Sequence, residues 1–155
     1  MSGSMIPSLQ AQRQSYVNKI ADTREEIARY EKAYESLTAF KATVSQSQEE
    51  FHSINASKAA LLAQVEGVEK NSLLAQKYRE GMQNIFDKTA VGVVGTMYVL
   101  LLTSISTKLQ QYTTLLNSYE ATITSCHQKI ADVDRQIAAA ERAEAEAARK
   151  VGSRR

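Results

Sequence analysis

The sequence predicts an all-α protein: a long antiparallel helical hairpin, packed as a coiled coil, with a short extra helix near the turn end. Two observations predict it. Two tracts carry apolar residues at steps of four and three, the period of a helical seam. One Pro and six Gly in 155 residues also leave little material for the turns of a sandwich or a doubly wound sheet.

The first tract runs Tyr16, Ile20, Thr23, Ile27, Tyr30, Tyr34, Leu37, Lys41, Val44, Gln48 and Phe51. Its polar interruption is Lys41, and the expectation is that Lys41 snorkels while neighbouring Phe40 takes its place in the core. The second tract runs without a break through Tyr98, Leu102, Ile105, Leu109, Tyr112, Leu116, Tyr119, Ile123, Cys126, Ile130, Val133, Ile137 and Ala140. Polar residues dominate between these positions, so each helix has one apolar seam and a solvated back. At about 1.5 Å per residue, 8–53 and 98–148 would reach roughly 70 and 75 Å, lengths that suit a hairpin.

The element boundaries read as follows. Residues 1–5 resemble an expression scar before a start at Met5 and are set aside. Residues 6–53 form the first long helix. In 54–71, Ser57 caps a short helix with Leu61, Leu62, Val65 and Val68 on its apolar face, and Gly67 marks the passage to the next helix. Asn71 or Ser72 then starts a second long helix over 72–150 that tolerates Gly81, and 151–155 fray after Gly152.

Lys88 and Lys108 bracket nineteen residues without a charge, 89–107, with Ala90 to Leu102 as the most apolar part. Three readings are open for this window. It is a helix buried on most sides by the first tract and the 61–68 segment, an exposed face awaiting another protein, or a membrane-inserting segment. Two Gly and six Ser or Thr make it a poor span, and its largely apolar part is nearer 13 residues than the 20 a bilayer requires. Gly92 and Gly95 lie on nearly one side, where another backbone can approach.

Charge and chemistry narrow the function. With 19 basic against 17 acidic residues, dispersed rather than clustered, there is no electrostatic footprint for nucleic acid. The lone Cys126 makes no intrachain disulfide and reads as a small buried hydrophobe. His52 and His127 lack metal-ligand spacing, and Glu25, Glu26, Asp132 and Asp134 fall on solvated faces rather than converging for acid and base work. Phosphate loops, nucleophile elbows and zinc motifs are missing from the sequence. The expectation is therefore a non-enzyme without catalytic residues, cofactor or metal. No charged-then-apolar leader follows Met5, so the expected location is cytoplasmic, with export open only by a route that needs no cleavable signal peptide.

At Tyr78-Arg-Glu-Gly81, followed by Phe86-Asp87, the chain resembles the small WXG-type helical-hairpin proteins of bacterial type VII secretion, especially the longer partners of LXG-domain toxins. Tyr78 stands at the family's Trp place, Gly81 comes one residue late, and Phe86 and Asp87 stand at the later aromatic position. Residues 52–77 would be an insertion, and no Tyr-x-x-x-Asp/Glu or Phe-x-x-x-Asp export signal follows. The resemblance implies a helical adaptor or chaperone that binds the N-terminal helices of a larger secreted effector. The expected partner-binding residues are Tyr78, Met82, Phe86, Val91, Val94, Met97 and Leu101. The alternatives are a membrane-active protein inserting 90–102 and a self-associating coiled-coil scaffold, a homodimer being the simplest such assembly.

Overall fold

The computed structural model describes residues 4–68, 73–85 and 88–154. Among them the elements are three helices, α1 (Ile6–Val68), α2 (Leu73–Ile85) and α3 (Lys88–Ser153), and the two long ones pack together as a hairpin. The chain divides into two compact units, one of Met1–Ala33 with Tyr112–Arg155 and one of Tyr34–Gln111.

At the start of α1 the Ser4 hydroxyl oxygen accepts the Ile6 N–H at 3.2 Å, and Leu9 N–H donates to the Met5 carbonyl at 3.0 Å. Pro7 sits in the first turn, where its missing N–H costs nothing. Residues set aside as a scar thus supply the helix cap. From there to Gly67 the sequence holds neither Gly nor Pro, and α1 runs through the expected break at 53–54 to Val68. Ser57 has the residue type of a cap, but without a helix breaker near it the i to i−4 ladder simply continues.

The other boundaries also shift. The short helix is α2, which holds Gly81 in its interior, and the described residues of the expected 72–150 helix fall in α2 and α3. At the far end α3 takes in Gly152 and closes with the Ser153 hydroxyl donating to the Lys150 carbonyl at 3.3 Å. The expected helix starts at Asn71 or Ser72 lie outside the described residues.

In the unit of Met1–Ala33 and Tyr112–Arg155, the seams meet as the heptads require. Leu9, Ile20, Thr23, Cys126 and Val133 are buried, with Tyr16, Ile27, Leu116, Ile123, Ile130 and Ile137 half-buried around them. Burying an aliphatic side chain fully contributes about 1.5–3 kcal/mol, and this row is the core of the unit. Thr23 is a polar member, and its hydroxyl is satisfied by donating to the Lys19 carbonyl at 2.7 Å. The Tyr30 ring packs against Tyr112 at 5.7 Å and Tyr119 at 5.9 Å between centroids. The Lys129 ammonium lies 5.5 Å from the Tyr16 ring. Tyr16 beside Lys129 and Tyr30 beside Tyr119 fix the helices as antiparallel. The α1 seam extends back past Tyr16 at the same spacing to Arg13, whose Nε donates to Asp134 Oδ1 at 2.7 Å.

In the unit of Tyr34–Gln111, Val44 and Ile105 are the buried side chains among the described ones. Leu37, Lys41, Gln48, Phe51, Tyr98, Leu102 and Leu109 are half-buried along the same seam. The exchange expected at the polar interruption does not occur: Lys41 keeps the half-buried seam position and Phe40 is 49% exposed. Phe40 sits about 100° around the helix from Lys41, so bringing it inward would break the phase of the whole seam. The Lys41 stem can lie along the seam with its ammonium in water. Tyr34, expected in the seam, remains exposed.

Candidate functional site

The uncharged window occupies the first turns of α3 within the unit of Tyr34–Gln111. One of its faces continues the seam. Val91, Gly95, Tyr98 and Leu102 are half-buried, and the Tyr98 ring packs 5.6 Å from the Phe51 ring on α1. The remainder is uncovered. Val93, Val94, Met97, Leu100 and Leu101 are all exposed, Met97 and Leu100 by 63% and 61%. At 100° per residue these five form a second apolar stripe about 120° around the helix from the seam.

From Ala90 onward α3 contains an 18-residue window of mean hydropathy 1.7, of which 6% is buried inside the protein. Of the three readings open for the window, this goes against the helix buried on most sides. The cause is geometric: α1 is a single helix and can cover one face of α3, whereas the window is apolar around most of its circumference. Neither glycine is forced by packing within the chain. A Cβ on Gly92 or on Gly95 would meet nothing within 4 Å, yet each glycine costs a helix interior about 1 kcal/mol relative to Ala.

Three of the window's hydroxyls are satisfied within the helix. Thr96 donates to the Gly92 carbonyl at 2.9 Å, Thr103 to Val99 at 2.8 Å and Thr107 to Thr103 at 3.0 Å. Dry burial against a partner therefore strands none of these three donors. The bond is not peculiar to the window, since Thr38, Thr43, Thr122 and Thr124 make it too.

The expected partner-binding residues separate into groups. Val94, Met97 and Leu101 fall together on the exposed stripe, while Val91 lies half-buried on the seam side. Tyr78 is 52% exposed on α2 and Met82 is half-buried there. Phe86 and Asp87 lie outside the described residues. Missed by the sequence reading were Val93 and Leu100 on the stripe, and Leu73 and Leu74 on α2, exposed by 70% and 79%. The signal for the stripe was available in the i, i+1, i+4, i+7, i+8 spacing of Val93, Val94, Met97, Leu100 and Leu101, one face of a helix.

Elsewhere, Cys126 is a free, buried thiol. Among the described residues no three His, Cys, Asp or Glu side chains gather where they could hold a metal ion. Comparison with family models, with curated proteins and with solved structures produced no match.

Proposed function

We propose that this chain is a non-enzymatic helical adaptor that uses the exposed stripe of α3 to bind an apolar helix of a larger protein. One observation carries the choice between a protein partner and lipid: Tyr98 packs on Phe51. In the closed hairpin that contact holds the apolar window beside a stretch of α1 containing Glu49, Glu50 and His52, all exposed, with Gln48 and Asn55 half-buried. Inserting this pair of helices into a bilayer would carry two carboxylates into hydrocarbon, at a cost of a few kcal/mol each. A protein partner needs only to cover the stripe and leaves the polar side of α1 in water.

The resemblance at Tyr78 and Gly81 supports a particular partner class, the N-terminal helices of an effector exported by type VII secretion. In that role the adaptor shields apolar helices and helps present them for export. The test is co-expression with the N-terminal helical segment of an LXG-type effector from the same genome, alongside sedimentation with anionic liposomes. The expected result is a discrete complex that Met97→Lys with Leu101→Lys abolishes at unchanged helicity, and no movement onto liposomes. Sedimentation of the chain alone with liposomes, lost in the same variant, would overturn the reading in favour of membrane insertion.

A further inference from the structure

We infer that the α2-proximal end of the hairpin is an opening clasp, in which α1 and α3 separate between Val44/Ile105 and α2 while the chain otherwise stays folded. Val44 and Ile105 are buried, 7% and 4% exposed, whereas along 45–64 of α1 and 90–104 of α3 every side chain is half-buried or exposed. The seam there is mismatched. On α3 it offers Val91, Gly95, Tyr98 and Leu102, whereas on α1 it offers Gln48, Phe51, Asn55, Lys58 and Leu62, three of them polar and all half-buried.

Asn55 is the sharpest sign, because its side-chain Nδ2 is buried without a hydrogen-bond partner. A buried donor left unmade favours any state that returns it to water. Tyr98 on Phe51 is the aromatic contact that holds the segment closed, and two rings replace the rows of aliphatic side chains found in the unit of Met1–Ala33 and Tyr112–Arg155. Most of a helix's stability in a protein comes from tertiary packing of its apolar face, so opening also weakens the ladder in both stretches and exposes their amides.

The clasp is a property of the chain alone and does not depend on what binds the stripe. If the adaptor reading holds, opening adds Tyr98 and Leu102 to the stripe and lets a partner helix replace the polar stretch of α1. The experiment is native-state amide hydrogen exchange on the full chain without partner or lipid. Expected are protection factors at least about 100-fold lower for 48–62 and 91–103 than for 16–30 and 116–133, with the two weak segments matching each other. Equal protection in all four segments would overturn the inference, as would strong protection of 91–103 beside an unprotected 48–62. Gln48→Leu with Asn55→Leu should close the clasp and raise protection at least about tenfold in both weak segments. A rise confined to α1 would report helix propensity only and would also overturn it.

Discussion

The rings of Phe51 and Tyr98 lie 5.6 Å apart between centroids, tilted by 44°, and join α1 to the middle of the uncharged window of α3. Such aromatic pairs contribute about 0.5–1.5 kcal/mol beyond the area they bury. A double-mutant cycle of Phe51→Leu and Tyr98→Leu, read by urea denaturation, should return a coupling in that range. A coupling near zero would show that the rings are neighbours without mutual stabilisation, and the case for holding the window beside Glu49 and Glu50 would lose its anchor.

The two apolar faces of α3 should respond differently to substitution. Met97→Lys and Leu101→Lys change exposed side chains and should shift stability by no more than about 0.5 kcal/mol each. Ile105→Ala, at a position 4% exposed, should cost about 2–4 kcal/mol through lost burial and the cavity left behind. Chemical denaturation of the three variants is the measurement. A large loss from either lysine variant would mean that the stripe is packed rather than open.

Much of this arrangement was legible in the residue spacing, and what was not has physical causes. The 4,3 pattern located the seam because it persists over many turns: from Tyr98 to Ala140 every position of the second tract is buried or half-buried. The same pattern misled at Phe40, where hydrophobicity was weighed above phase, although one residue of displacement on a helix is a quarter-turn away from the seam. The break expected near Ser57 rested on a capping residue type, yet a cap acts only where the ladder already stops, and no Gly or Pro stops it before Gly67. Neither composition nor spacing could show that the rest of the 89–107 window stays uncovered, although the spacing placed Tyr98 and Leu102 on the side that α1 covers. That side is set by where Tyr98 meets Phe51, a contact between positions far apart in sequence.

Cys126 is 3% exposed on the α3 seam, so its thiol should be sheltered until the hairpin opens. Reaction with a disulfide reagent at neutral pH should run at least about 100-fold slower than with a free thiol and accelerate in proportion to the unfolded fraction as urea is added. Stoichiometric labelling in the mixing time of native protein would contradict the packing around Val133 and Cys126.

Arg13 and Asp134 form an ion pair between α1 and α3 with both side chains close to half exposed, 45% and 48%. In that setting solvent screening leaves little net stabilisation, and Asp134→Asn should cost under about 1 kcal/mol. The cost should vanish in 1 M salt, where the Debye length falls to about 3 Å. Thermal unfolding of both proteins at low and high salt would check it. A loss that persists in high salt would mean that Asp134 acts through packing instead.

Tyr119 should make the hairpin sensitive to alkali. Its hydroxyl is held above the ordinary value of 10.0, first by partial burial in the seam and then by the neighbouring Tyr30 and Glu26, against a smaller opposing effect of Arg29. A folded value above the unfolded one means that the neutral form is favoured by folding. That contribution is fully present below pH 10 and is lost as pH rises through the folded value, because the unfolded chain gives up its proton first. Tyr119→Phe cannot ionise there. The difference in urea midpoint between the native chain and Tyr119→Phe should therefore be flat from pH 7 to 9, then move against the native chain above pH 10. A difference that stays constant through pH 11.5 would mean that Tyr119 titrates alike in both states and that its place beside Tyr30 does not shield it.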